Sequence, residues 1–166
     1  MRRRIEVSAE AEPLAIPGRV LNELCAHALE AQPEECCGLL TGTGEDRFRT
    51  VYRCRNDMTM RHRTDPTLYP RDGREAFYMS ETDWMRALAD AERRGEEVTG
   101  VYHSHVGADA YLSEMDQAFL EHDLFPFPNA AQLVIGVWER KVSRVGVFER
   151  PSPEEEFVGR AVEALP

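Results

Sequence analysis

The arrangement that most restricts how this chain can fold is a pair of histidines one residue apart. After seven intervening residues come a serine and, three positions on, an aspartate. Residues 98–103 have the composition of a β-strand, and alternate strand residues point to the same side, so His103 and His105 can aim both imidazoles at one point. Ser113 and Asp116 have the spacing of a capping box at a helix start. The chain must therefore fold back after His105 and bring a helix start against the end of a strand.

Two imidazoles and one carboxylate match the ligands of a catalytic zinc site, where three protein donors leave a position open for water. The sequence therefore predicts one zinc ion per chain, bound by His103, His105 and Asp116. With these ligands the ion keeps a net positive charge and makes bound water acidic enough to supply a nucleophile near neutral pH. An H-x-H pair alone is a weak signal, because many histidines are simply half-buried. Helix capping is the alternative role for Asp116, and the two roles are compatible.

The rest of the sequence predicts a mixed α/β fold. Apolar residues recur at helical spacing in some segments, and short apolar or alternating runs indicate strands in others. We predict helices over residues 17–31, 81–94 and 113–122, and strands over residues 5–7, 36–41, 48–54, 98–103, 132–138 and 143–149. Because strands and helices do not alternate regularly, a curved mixed β-sheet flanked by helices is favoured over a doubly wound parallel sheet.

Two parts of the chain lack a clear element. Residues 55–80 are polar and interrupted by proline and glycine, and a stretch of this length without an element is usually functional or mobile. Residues 151–166 are acidic, and we predict a C-terminal tail there, with a short helix over residues 154–164 as one form it can take. Residues 1–150 are then predicted to form a single catalytic domain.

Composition excludes several classes of protein. A length of 166 residues suits one domain. The 30 acidic against 20 basic residues disfavour a nucleic-acid binder, which needs a basic face to replace the counterions of phosphate. No C-x-x-C pair is present, so the four cysteines are expected to be buried reduced thiols of a cytoplasmic protein rather than zinc ligands. No apolar stretch approaches the length of a membrane span, and nothing indicates an oligomeric state.

Taken together, these motifs resemble the JAMM (MPN-plus) metalloprotease family. Its signature is a glutamate early in the chain, then H-[ST]-H, seven residues and S-x-x-D, and the H-S-H and S-E-M-D motifs here keep that spacing. The upstream sequence PEECCGLL resembles the family's glutamate strand. There the glutamate stands three residues before the glycine, which is Gly38 here and identifies Glu35 rather than Glu34. The likeness extends over residues 16–148.

The resemblance implies a fold and a set of roles. The fold is an MPN-type mixed sheet between helices, similar to the cytidine-deaminase architecture. Glu35 is implied as the general base that takes a proton from water and later gives it to the leaving amine. Ser113 is implied as the hydroxyl that stabilises the oxyanion. Ser104, between the two histidine ligands, is expected to have a structural role.

The resemblance also implies a function: hydrolysis of a peptide or isopeptide bond at the C-terminal Gly-Gly tail of a ubiquitin-like protein or sulfur-carrier protein. The compact chain favours a sulfur carrier over polyubiquitin. The alternative is a non-catalytic MPN-type scaffold for protein–protein interaction, which the presence of all five motif residues disfavours. A nucleobase deaminase would need H-x-E and P-C-x-x-C motifs, and the sequence contains neither.

The sequence departs from the family pattern in two places. Val106 stands where the family has proline, so the loop that follows the histidines is expected to be looser. Residues 55–80 are longer than in compact bacterial members and carry five arginines and His62. We expect this segment to border the substrate groove, to be mobile without substrate, and to offer charge to an acidic partner surface or a terminal carboxylate.

Overall fold

A seven-stranded sheet and four helices form the framework of the protein in the computed structural model, which describes residues 3–166. In chain order the elements are β1 (Ile5–Glu6), β2 (Leu14–Ile16), α1 (Gly18–Ala31), β3 (Cys37–Gly42), β4 (Thr50–Cys54), α2 (Met58–Thr64), α3 (Glu81–Arg93), β5 (Glu97–Val106), β6 (Tyr111–Leu112), α4 (Glu114–Leu120), β7 (Ala131–Trp138), β8 (Lys141–Glu149) and β9 (Val158–Ala164). The large sheet has the order β2-β9-β8-β7-β5-β3-β4, and β1 pairs with β6 beside it.

The large sheet is mixed, as the sequence predicted. The pairs β5–β7 and β2–β9 are parallel, whereas the other neighbouring strands are antiparallel. The chain crosses from β5 to β7 through α4, and it returns from β7 to β8 through Glu139 and Arg140, which both have positive φ. Two consecutive residues of this kind form the tight turn whose twist matches that of a hairpin.

Helices α1 and α3 cover opposite faces of the sheet. Val20 of α1 packs in one cluster with Leu40, and Ala87 of α3 packs in another with Leu39 and Val101. Neighbouring strand residues point to opposite faces, so a strand covered on both sides is apolar throughout. Strand β5 lies between β3 and β7 and is buried over most of its length. The predicted histidine strand is therefore held in the middle of the sheet.

The elements predicted before residue 150 are confirmed to within a few residues, but helix α2 and the short strands β2 and β6 were not predicted. Helix α2 (Met58–Thr64) lies inside the segment that was predicted to have no element. The helix has only seven residues and buries none of them, so the sequence carries no apolar stripe that would reveal it.

The prediction of a helix over residues 154–164 is wrong. These residues supply β9, which pairs antiparallel with β8 and parallel with β2. The side chain of Val162 packs against the core cluster beneath α1. Pairing with two strands that are distant in sequence decides this structure, and local propensity does not reveal it. The C-terminal segment is therefore part of the same sheet as the rest of the chain and not an appended tail.

Two simpler expectations can be compared with the structure. All four cysteines are free thiols, and all but the half-buried Cys25 are buried. Within residues 3–166, none of the helices has the length and apolar character needed to cross a membrane.

Candidate metal centre

The three predicted ligands meet at the end of β5. The Nε2 atoms of His103 and His105 lie 3.1 Å apart, and Oδ2 of Asp116 lies 3.4 Å and 3.5 Å from them. Zinc bonds of about 2.0–2.1 Å in a tetrahedral site place neighbouring ligand atoms about 3.3 Å apart. The three atoms therefore have the spacing of one face of such a tetrahedron, and they are the group of metal-binding side chains found in the described part of the chain.

The start of α4 delivers Asp116 to this point. The Ser113 backbone N–H donates to Oδ2 of Asp116 at 2.9 Å, and the Asp116 backbone N–H donates to Oγ of Ser113 at 3.0 Å. This reciprocal pair is the predicted capping box. The same carboxylate oxygen that caps the helix faces both imidazoles. The Ser113 hydroxyl accepts in the capping box, which leaves its own proton available for another acceptor.

Aromatic rings hold the two imidazoles from outside the ligand triangle. The Phe77 ring stacks on His103 with centroids 4.6 Å apart, and the Tyr111 ring lies 4.7 Å from His105. The Nδ1 atom of His105 lies 3.3 Å from the Asp109 carbonyl oxygen, whereas Nδ1 of His103 is buried with no hydrogen-bond partner among residues 3–166. Neither aromatic residue belongs to a spaced motif, so these contacts could not be predicted from the sequence.

The loop after the histidines is held at several points, although Val106 replaces the family's proline. Val106 continues the strand and pairs with Val137, and the Gly107 N–H donates to the Val137 carbonyl at 2.8 Å. Farther along, the carboxylate of Asp109 receives two hydrogen bonds from the Arg144 guanidinium. These contacts come from the neighbouring strands β7 and β8 and hold the loop in the absence of the proline.

Glu35 reaches the same pocket from the segment just before β3. Cys37, the first residue of β3, pairs with His103 of β5, and Glu35 lies two residues before Cys37. The Cys36 N–H donates to Oγ of Ser104 at 2.8 Å, so Ser104 fastens the residue after Glu35 to the histidine strand. Glu35, both histidines, Ser113 and Asp116 together line one cavity of about 450 Å³.

The Glu34 side chain is directed away from this cavity. The Thr59 hydroxyl donates to the Glu34 carboxylate, outside the residues that line the metal pocket. Glu35 is 6% exposed, in accordance with a role inside the pocket.

The two carboxylates of the pocket have opposite pKa shifts. Burial, followed by the negative charge of Asp116, raises the pKa of Glu35 to about 9. Burial also disfavours ionisation of Asp116, but the charge of His103 and the hydrogen bonds from both imidazoles hold the pKa of Asp116 well below its usual value. A divalent cation between the imidazoles would favour ionised Glu35, because an opposite charge lowers the pKa of a carboxyl.

Residues 69–78, which we call the pocket wall, contribute several side chains to the lining of the same cavity. The Asn56 side-chain amide donates to the backbone carbonyls of Glu35, Gly73 and Ala76 at 3.0–3.4 Å. The Glu35 N–H donates to the Gly73 carbonyl at 2.7 Å. Residues 55–80 thus contribute to the lining of this cavity and are bonded directly to the backbone of Glu35, and their role beside a substrate stays a prediction.

Comparison with known proteins supports these assignments of fold and family. The family model "Prokaryotic homologs of the JAB domain" matches residues 17–147. The CysO-cysteine peptidases of Mycobacterium tuberculosis and Mycobacterium bovis are 36% identical over 104 residues, which is 62% of this chain and 62% of theirs. The chain thus aligns with less than two thirds of those relatives. Tail tip assembly protein K of Escherichia phage N15 is 30% identical over 109 residues, 66% of this chain and 37% of that protein.

Two solved structures share the fold. Protein DSY2949 from Desulfitobacterium hafniense superposes with a TM-score of 0.67 at 24% identity, covering 92% of each chain. A protein from Salinibacter ruber superposes with a TM-score of 0.60 at 23% identity, with the same coverage. At these identities the likeness concerns the fold.

Proposed function

This chain belongs to the prokaryotic homologs of the JAB domain, and on that premise we propose that it is a zinc-dependent peptidase. The observation that carries the proposal is the ligand triangle: three donor atoms 3.1–3.5 Å apart in the cavity that also contains Glu35. His103, His105 and Asp116 would hold the zinc ion. When bound, the ion would lower the pKa of water and polarise the carbonyl of the substrate.

The remaining chemistry belongs to residues of the chain. The carboxylate of Glu35 takes a proton from the attacking water and later gives a proton to the nitrogen of the leaving amine, so that one amide bond and one water become a carboxylic acid and an amine. The Ser113 hydroxyl donates its free proton to the oxygen that becomes negative during the attack. The capping box fixes this hydroxyl at the start of α4, beside the Asp116 ligand.

We further propose that the substrate is the C-terminal Gly-Gly tail of a ubiquitin-like or sulfur-carrier protein, cleaved at a peptide or isopeptide bond. The mycobacterial relatives are named CysO-cysteine peptidases, which supports this class of substrate. A flexible tail also suits a cavity of about 450 Å³, which cannot contain a folded domain. The four free thiols suit the cytoplasm, where cysteines stay reduced.

The test is to incubate the zinc-loaded protein with a ubiquitin-fold carrier protein that ends in Gly-Gly followed by one further residue. Mass spectrometry would show the loss of that residue. We expect cleavage that stops when the zinc is removed by a chelator and resumes when zinc is returned. Absence of cleavage by the zinc-loaded protein, with undiminished binding of the carrier, would favour the scaffold alternative.

A further inference from the structure

The pocket wall contains a cation without a partner. Arg71 and Arg74 both line the metal cavity. The Arg74 guanidinium is bound to the Asp72 carboxylate, with a shortest N–O separation of 2.8 Å. Within the described residues, no hydrogen bond, ion pair or ring contact engages the guanidinium of Arg71. Glu75 also lines the cavity, but its carboxylate forms no ion pair with Arg71.

The backbone near Arg71 is fixed relative to Glu35. Gly73 accepts a hydrogen bond from the Glu35 N–H at 2.7 Å, and its own N–H donates to the Thr59 hydroxyl at 2.9 Å. The Asp72 carbonyl accepts from two backbone N–H groups at 3.1–3.2 Å, which closes the turn that follows. Arg71 is therefore presented from an anchored turn, and its charge is close enough to act on the Glu35 carboxyl.

The position beside Glu35 identifies which part of a substrate this cation would meet. Glu35 is the group that donates a proton to the leaving amine, so its surroundings are those of the leaving group. In a leaving α-amino acid the carboxylate is separated from the amine by a single carbon atom. A leaving lysine side chain has no carboxylate near its ε-amine.

We infer that Arg71 binds the α-carboxylate of a single C-terminal amino acid, so that this peptidase releases one free amino acid from a Gly-Gly tail in preference to a lysine side chain. The inference rests on the proposed function. A guanidinium binds a carboxylate through two parallel hydrogen bonds, which gives this contact both strength and direction. Arg71 is exposed without substrate, and a tail lying in the cavity would cover it.

The experiment compares two short peptides that end in Gly-Gly-Ala, one with a free carboxylate and one with a C-terminal amide. Alanine avoids a thiol that would bind zinc by itself. Binding is measured by calorimetry on the zinc-loaded Glu35→Gln protein, which cannot turn the peptides over efficiently, and kcat/KM is measured on the protein with Glu35 intact. We expect the acid to be favoured by about 10-fold or more in both measurements, the usual effect of a hydrogen bond to a charged group.

Substitutions in the pocket wall locate the effect. Arg71→Ala should reduce the preference for the acid to about 1, and Arg71→Lys should restore part of it. Arg63→Ala removes an exposed arginine outside the cavity and should leave the preference unchanged. Equal binding of the acid and the amide, or no binding of either, would overturn the inference. So would loss of the preference in Arg74→Ala but not in Arg71→Ala.

The outcomes separate this inference from the proposed function. Preferred binding of the acid without any cleavage would support the Arg71 contact and contradict the proposed peptidase activity. Cleavage of both peptides at equal rates would support the proposed peptidase activity and contradict the binding of the carboxylate by Arg71. A third possibility is that Arg71 contacts an acidic surface of a carrier protein. Arg71→Ala would then weaken the binding of the carrier protein and leave the binding of both peptides unchanged. That result would also contradict the inference.

Discussion

The two sides of the metal pocket are built differently. The metal side, as we call the side with the candidate ligands, consists of residues 103–116, a short continuous stretch that comprises the end of β5, a loop with the short strand β6, and the first turn of α4. The pocket wall, residues 69–78, has no strand or helix in these positions and is held by hydrogen bonds to residues distant in sequence, above all Asn56 and Glu35. Local sequence spacing thus places the candidate ligands, whereas hydrogen bonds between distant residues place the wall of the cavity beside them.

The same contrast explains which features the sequence could reveal. The histidines and Asp116 were predictable because strand alternation and helix capping are local rules with fixed spacing. Resemblance to a family was needed for Glu35, since nothing within its own segment connects it with β5. Arg71 and Phe77 had no identifying spacing, because their positions depend on how the pocket wall folds against the sheet.

The largest effect is expected at Glu35, where the two sides meet. Glu35→Gln preserves the shape of the side chain but cannot accept a proton at neutral pH. We expect kcat to fall by about 10²–10⁴-fold, with zinc content and folding unchanged. The matched control is Glu34→Gln, which changes a carboxylate that Thr59 binds outside the pocket. If Glu34→Gln were inactive and Glu35→Gln were active, the general base would be Glu34 and the assignment of Glu35 would be wrong.

A second prediction concerns Ser113, which acts on the metal side alone. Ser113→Ala removes the helix cap and, with it, the proposed oxyanion donor. We expect kcat to fall by about 10²–10³-fold and the free energy of unfolding to fall by about 0.5–2 kcal/mol. Ser113→Thr keeps a hydroxyl at the same position, so chemical denaturation and steady-state kinetics should both show substantial recovery. If kcat is unchanged in Ser113→Ala, Ser113 caps the helix but does not stabilise the oxyanion.

A third prediction tests the pocket wall without altering the metal side. Asn56→Asp retains the acceptor oxygen but replaces the amide that donates to the Glu35, Gly73 and Ala76 carbonyls. An oxygen facing these carbonyls leaves them unsatisfied, so we expect a loss of about 1–3 kcal/mol in the free energy of unfolding. Activity should fall while zinc content is retained.

The control for this prediction is Asn22→Asp, which makes the same charge change at an exposed position of α1. A surface substitution of this kind is expected to stay within about 0.5 kcal/mol. If Asn56→Asp is no less stable than Asn22→Asp, the hydrogen bonds of Asn56 do not hold the pocket wall.

The smallest effect involves neither side of the pocket. The Tyr102 hydroxyl and Nδ1 of His27 form a hydrogen bond of 2.7 Å, and burial, followed by the charge of Arg53, lowers the pKa of His27 to about 4. The unfolded chain binds this proton near pH 6.5, so the contribution of His27 to stability is lost as the pH falls from about 6.5 towards 4. Above that window His27 is neutral in both states.

This pH effect is measured on the metal-free protein, so that release of zinc does not contribute. His27→Gln keeps a side chain that can hydrogen-bond the Tyr102 hydroxyl as donor or acceptor, but it cannot be protonated. The free energy of unfolding should therefore decline less steeply between pH 6.5 and 4 in His27→Gln than in the unchanged protein. Equal slopes would contradict the assignment of this linkage to His27.

The measurement that tests the central claim most directly is the zinc content after loading and dialysis at neutral pH. The unchanged protein should retain about one zinc ion per chain. His103→Ala, His105→Ala and Asp116→Asn should lose most of it, the last while keeping an oxygen that can cap α4. His122→Ala, an exposed histidine outside the ligand triangle, should retain the full content. Equal zinc in all of these folded proteins would contradict the assignment of the metal centre.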